Sequence, residues 1–423
     1  MPIAQSCKPI ADPDPGETSR WTRRRWLAAM LLSASPLACT QAPDQVATAP
    51  SATPPAPPVP MPFSQAVQTA ADSVLSSVQL APGDTARHAM VIDPLVNGVT
   101  GEQSAATQQI QAHVTELVQT RYTAFQLQPF TSATVSKLPL VLIGTFTPTG
   151  TAATPVGPKD AYRFCLILAD LRTGKVATKK VVFAQAEGVD AAPSKFFADS
   201  PSWAADARIK AYVDTCQKSK VGDPIDPIYL DGIVTAAEVN EAIAAYEAGR
   251  YRDALELYRT AAQSKAGDQL RVYNGVYLST THLGAREPAE RAFGDIVDYG
   301  LRSGKLGIKL LFQPGSPAFV SDPRISGSYD MWLRQLAQHS ARRNACLGIT
   351  GNTSASGLPA LNDRLSLARA EFVRARLEVD GSIPASHITV SGAGSRNNLI
   401  GTGRDDVTDA LDRRVDFTVA QSC

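Results

Sequence analysis

The sequence predicts a multidomain protein: an N-terminal α/β domain, a short α-helical connector and a C-terminal α/β sandwich of βαβαβ type. Three observations predict it. Short apolar, strand-like runs alternate with helical spacing over 63–225 and again over 305–423. The stretch between them, 235–302, is helical throughout. Ahead of all three stands a leader with a basic run, a short apolar run and a Pro/Ala-rich tail. With 423 residues the chain can build two or three domains, each with its own core. A formal net charge of +1 leaves no global field to draw in nucleic acid, so that class of partner is excluded first.

Residues 1–39 read as a signal peptide. Arg23, Arg24 and Arg25 precede Trp26, Leu27 and a short apolar run, and small residues lead to Cys39. The run is too short to span a bilayer. Its arginines resemble a twin-arginine export signal, with a plain Sec signal as the alternative. Cys39 stands where a bacterial lipoprotein carries its acylated cysteine, although Pro36 replaces the usual leucine. Ordinary cleavage near Ala38, leaving a spare thiol, is the other reading. If Cys39 is acylated, Thr40 beside it implies retention at the outer membrane. Residues 40–62 are rich in Pro and Ala and read as a semi-extended tether of roughly 60–70 Å.

In 63–225, helices are expected at 64–78 and 103–121, and strands at 89–94, 125–130, 138–146, 164–170 and 176–184. The turn DLRTGK at 170–175 puts Gly174 where positive φ is needed. His88, Asp93 and His113 look isolated, so no nucleophile–base or metal-spaced group is expected there. The strand–helix order and this turn resemble the periplasmic domains of the penicillin-binding-protein activator and of curli or flagellar lipoproteins. That resemblance implies a non-enzymatic adaptor. In the helical stretch, EAIAAYEAGRYRDALELYRTAA carries small and aromatic residues in a pattern similar to a tetratricopeptide repeat, with a second helical pair at 268–283 and 287–301. It reads as a partner-docking connector or as a plain helical linker.

The last 119 residues carry the candidate site. Strands are expected at 305–312, 346–350, 388–392 and 415–420. A helix at 329–339 turns Tyr329, Trp332 and Leu336 inward. A second helix opens near Asn362 after a Gly/Ser-rich loop. On it Asn362, Ser366 and Arg369 share one face, and Leu361, Leu365, Ala368, Phe372 and Ala375 form the neighbouring stripe, expected to face a core. A fixed cation beside small polar groups suits a carboxylate-bearing ligand.

The motifs ITGNTSASG (349–357), NDRLSLARAEFV (362–373), ITVSGAGSRN (388–397) and ALDRRVDFTV (410–419) resemble, in order, the OmpA-like peptidoglycan-associating domain. The resemblance implies that an Asp of the loop and an Arg fifteen positions later grip the diamino acid of the stem peptide. Arg369 takes the arginine's position, Asn352 that of the loop histidine and Ser354 that of the aspartate. Asn362, Leu365, Ser366, Ala370 and Arg414 match the pattern directly. The expected ligand-binding set is therefore Asn352, Thr353, Ser354, Asn362, Ser366, Arg369 and Arg414. Ser354 carries no charge, and Asp363 leaves the helix on another face. Replacing a charge-assisted bond by a neutral one costs on the order of tenfold in affinity, and restoring an aspartate at Ser354 is expected to tighten binding.

Once Cys7 is removed with the leader and Cys39 is acylated, four cysteines remain, which favours disulfides in an oxidising periplasm. Cys165 and Cys216 share the first α/β region, and Cys346 and Cys423 flank the strands of the last. The expected bridges are 165–216 and 346–423. No metal is expected, because the spacings are wide and no histidine sits near either pair. No cofactor is called for. These readings describe an exported envelope lipoprotein, tethered to the periplasmic face of the outer membrane and docked on peptidoglycan. The competing class is an accessory subunit of a secretion, pilus or motility complex, with the peptidoglycan site weakened or lapsed. An envelope hydrolase is disfavoured, since neither paired carboxylates nor an activated nucleophile stand out.

Overall fold

A computed structural model describes residues 59–78, 87–150, 159–203, 206–379, 383–420 and 423. The signal peptide, Cys39 and most of the Pro/Ala-rich stretch lie outside the described residues.

The first region runs α1 (Phe63–Ser76), β1 (His88–Ile92), α2 (Ala105–Thr120), β2 (Phe125–Leu127), α3 (Ser132–Val135), β3 (Leu140–Thr149), β4 (Ala161–Asp170), β5 (Lys175–Gln185), α4 (Lys195–Asp199) and α5 (Ala207–Lys218). Its five strands form one mixed sheet in the order β2-β1-β3-β4-β5, parallel through the first three and antiparallel after them. Successive residues of a strand face opposite sides, so a sheet buried on both faces needs apolar residues at every position. The middle of β3 (141–143) and of β4 (164–169) meets that demand. Leu142, Phe164 and Leu166 pack with α1 and α2 on one face, while Ile143, Cys165 and Ile167 pack with Tyr212 and Cys216 of α5 on the other. Cys165 is bonded to Cys216, with Cα atoms 6.3 Å apart, which ties the central hairpin to α5. Gly174 closes the β4–β5 turn at φ +66°, where its N–H donates to the Asp170 carbonyl at 2.9 Å.

The chain continues through α6 (Pro227–Glu247), α7 (Tyr251–Gln263), α8 (Leu270–His282) and α9 (Arg286–Ser303). Of the small and aromatic positions, Ala245, Tyr246, Ala254, Tyr258 and Ala261 are buried, whereas Tyr251 is half-buried and Gly249 is exposed. The last region holds α10 (Pro323–Ser326), α11 (Tyr329–Arg342), β6 (Cys346–Gly351), α12 (Pro359–Glu378), β7 (Ile388–Gly392) and β8 (Val415–Ala420). Its sheet has the order β7-β6-β8, with β6 parallel to β7 and antiparallel to β8. Tyr329, Trp332 and Leu336 of α11 are buried as expected, and they share one apolar cluster with α6–α9 and with β6.

Two expectations change. Residues 305–312 do not form a strand. Ile308, Leu311 and Phe312 make single bridges to Ser202, Arg414 and Phe319. The run is broken because the Leu310 N–H turns back to the Ile308 carbonyl at 3.1 Å, and Lys309 leaves the line to meet Glu102 and the Phe197 carbonyl. Asp93, read as isolated, is buried and accepts a hydrogen bond from Tyr229 Oη at 2.8 Å. Tyr229 lies 136 residues away on α6, and that distance hid the pair.

Candidate functional site

The site is built where β6 ends and α12 begins. Two strand glycines let the helix lie close to the sheet. A Cβ on Gly351 would collide with the Ser366 carbonyl, and one on Gly392 would come within 2.6 Å of Ser366 Oγ. Ser366 fills that contact: its hydroxyl donates to the Asp363 carbonyl at 2.9 Å and accepts from the Gly394 N–H at 2.9 Å. The buried side of α12 therefore carries polar residues in its first half and apolar ones after them. Asn362, Ser366 and Arg369 are buried alongside Ala370, Val373 and Leu377.

The expected apolar stripe is corrected by this geometry. Leu361 is 50% exposed, Leu365 and Ala368 are half-buried and Ala375 is exposed, and of the stripe Phe372 packs against the core, edge-on to Phe319. Helix periodicity alone cannot tell which of two adjacent faces meets the sheet, and here the close glycine contacts decide it. Leu361, Leu365 and Ala368 instead form the apolar wall of a surface pocket of about 550 Å³. Thr353, Ser354, Asn362, Arg369 and Asp405 line the same pocket.

Arg369 is fully buried at its base. Nε donates to Ser316 O at 3.0 Å, Nη1 to Asn352 O at 2.7 Å and Nη2 to Gln313 O at 2.9 Å, and the guanidinium lies over the Phe312 ring. Burial, with the nearby Arg413 guanidinium, pulls its pKa down to about 10, so the group stays charged at neutral pH. Asn362 Nδ2 donates to the Ser356 carbonyl at 2.8 Å and holds the loop against the helix. Thr353 is buried in the pocket lining, and its hydroxyl has no partner.

Ser354 Oγ donates to Asp405 Oδ1 at 2.6 Å. Asp405 also pairs with Arg413 Nη1 at 2.9 Å. The loop that carries it is held by two buried aspartates. Asp412 accepts from the N–H groups of Leu399, Ile400 and Gly401, and Asp409 accepts from those of Thr402 and Asp405. Sequence reading passed over Asp405 and the carbonyls of Gln313 and Ser316, since irregular loops have no periodicity to reveal them.

Of the expected residues, Thr353, Ser354, Asn362 and Arg369 line the pocket. Asn352, Ser366 and Arg414 are not part of that lining. Asn352 serves through its backbone carbonyl, and its Nδ2 donates to Asp416 at 2.8 Å. Arg414 is spent on both oxygens of Asp416, at 2.8 Å each, on two carbonyls and on the Trp203 ring. In this arrangement Arg414 ties β8 to the Leu411 and Asn397 carbonyls.

Cys346 is bonded to Cys423, with Cα atoms 5.4 Å apart. The expectation that no histidine lies near a pair is corrected here. Ligand atoms of Cys346, His387 and Cys423 fall within 4.8 Å of one another. Sheet register causes this: Leu347 pairs with Ile388, so His387 arrives beside Cys346 from far along the chain.

Residues 311–410 match the OmpA family model, and this segment is an OmpA-family domain. Solved structures share part of the chain. The peptidoglycan-associated lipoprotein from Burkholderia pseudomallei is 25% identical, covering 26% of this chain and 89% of that one, at a TM-score of 0.23. The C-terminal domain of Helicobacter pylori MotB is 18% identical, covering 26% and 83%, at 0.22. An outer membrane protein from Borrelia burgdorferi B31 is 21% identical, covering 26% and 83%, at 0.20. No curated protein matches the chain. Among the described residues no helix is long and apolar enough to cross a membrane.

Proposed function

We propose that the protein is an exported envelope lipoprotein that anchors non-covalently to peptidoglycan through its OmpA domain. In this reading Cys39 carries the lipid, and 40–62 is the tether from the periplasmic face of the outer membrane. Residues 63–225 form an adaptor domain, and 235–302 a tetratricopeptide-like connector to residues 305–423. The observation that carries the proposal is the pocket beside α12, where a buried guanidinium, small polar groups and an apolar wall meet in an OmpA-family domain. We read this set as one that binds rather than reacts: the Ser354 hydroxyl is held by Asp405, and Asp405 is itself engaged by the Arg413 guanidinium.

A second reading follows from Arg369 itself. Three of its N–H groups are committed to backbone carbonyls. That commitment favours a scaffold in a secretion, pilus or motility complex whose peptidoglycan site has weakened. Sedimentation with purified sacculi separates the two. The full exported chain is expected to pellet with sacculi and to be released by soluble stem peptide. A chain left in the supernatant would refute anchoring and leave the scaffold reading. Palmitate labelling of the protein and of Cys39→Ala tests the lipid anchor in the same strain.

A further inference from the structure

We propose that Asp405, held by Ser354, is the carboxylate that receives the ammonium of a zwitterionic α-amino-acid head group in the α12 pocket. The inference rests on the peptidoglycan reading above and names how this chain fills the position that Ser354 leaves uncharged.

Asp405 reaches the pocket from the loop before β8, 51 residues from Ser354, and its Oδ1 sits 2.6 Å from the serine hydroxyl. The side chain is 29% exposed, so it is open to a ligand while its partner Arg413 is 5% exposed behind it. The Ser354 and Arg413 bonds both end on Oδ1. Asp405 holds φ at +57°, a left-handed backbone that a residue with a Cβ adopts at a cost. Here the Asp405 N–H is fixed to Asp409 Oδ2 at 3.1 Å.

A second observation points to a ligand. The Thr353 hydroxyl is buried in the same pocket without a partner, although buried polar groups are nearly always satisfied. With Arg369 at the base and Arg364 in the lining, the pocket presents positive charge to a carboxylate and one negative group to an ammonium. Leu361, Leu365 and Ala368 supply the surface for a methylene chain. A free α-amino-acid end carries all three features.

Placing an aspartate at Ser354 in the unaltered protein then has a different consequence from the one the motif comparison suggests. It would set two carboxylates side by side, and like charges that close cannot both stay ionised. Ser354→Asp alone is expected to leave binding unchanged or weaker, whereas Ser354→Asp combined with Asp405→Asn returns one carboxylate to the pocket.

The test uses the full chain, purified sacculi, and two soluble probes, meso-diaminopimelate and pimelate, which differ only in the amino groups. Asp405→Asn is expected to weaken retention on sacculi and binding of diaminopimelate about tenfold while leaving pimelate binding unchanged or tighter. The double variant Ser354→Asp/Asp405→Asn is expected to regain retention, which a variant damaged in folding would not do. Equal retention of Asp405→Asn and wild type overturns the role of Asp405 and leaves the anchoring reading in place. Loss of affinity for both probes alike overturns it too, because the effect would then not involve the ammonium. A wild-type chain that ignores sacculi overturns both readings together.

Discussion

At the scale of residues, Arg369 is both a site group and a structural clamp. Its guanidinium joins the Gln313–Ser316 loop and the Asn352 carbonyl to α12, three bonds made by one rigid fork. Removing it leaves buried carbonyls unpaired, and charged hydrogen bonds contribute about 1.5–3 kcal/mol each before non-additivity. Arg369→Ala is therefore expected to lose sacculus retention and also roughly 3–5 kcal/mol of stability, read from the urea midpoint. Arg369→Lys should recover little of either, because a single ammonium cannot reach carbonyls spread over three positions. An unchanged midpoint in Arg369→Ala would contradict the clamp. Arg369 was legible from helix periodicity, which puts it on one face with Asn362 and Ser366, and Ser354 only through the resemblance to the OmpA-like motif. Asp405 was not, since it meets Ser354 only after the loop before β8 folds back.

At the scale of elements, most helices and strands follow from the sequence. The α12 face does not. Its periodicity separates a polar face from an apolar one, and the usual rule sends the apolar face inward. Backbone contact at Gly351 and Gly392 instead places Ser366 against the sheet and turns the leucines toward the pocket. The two arrangements differ in measurable stability. Leu361→Ser, at a half-exposed position, is expected to cost under about 0.5 kcal/mol, whereas Leu377→Ala, fully buried, is expected to cost roughly 2–5 kcal/mol. Comparable losses at both sites, by chemical denaturation, would restore the inward stripe. The run at 305–312 failed for a related reason. Apolar spacing marks a segment that will be covered, and the Lys309 side chain, drawn out to Glu102, decides that bridges rather than a ladder cover it.

For the molecule as a whole, buried charge links regions that the sequence presents as successive. Lys309 and Glu102 meet at 2.6 Å with both side chains 7% exposed. Asp93, just after β1, meets Tyr229 on α6, and burial pushes its pKa up to about 7, against the smaller opposing effects of the Tyr229 bond and the Arg271 charge. Such pairings are invisible in sequence because each partner looks like an ordinary surface residue of its own segment. Asp93 gives them a pH signature. Its folded pKa lies above the ordinary 3.8, so the folded state holds a proton that the unfolded chain releases between those values. The contribution is fully present below about pH 4, falls as pH rises, and is gone above about pH 7. Three pKa units correspond to at most about 4 kcal/mol. Wild-type protein should thus lose stability between pH 4.5 and 7.5 relative to Asp93→Asn, whose amide does not titrate and can still accept from Tyr229. Urea midpoints of the two proteins across that range decide it. Parallel curves would show that Asp93 stays ionised in the fold, and that its bond to Tyr229 joins the sheet to α6 without holding a proton.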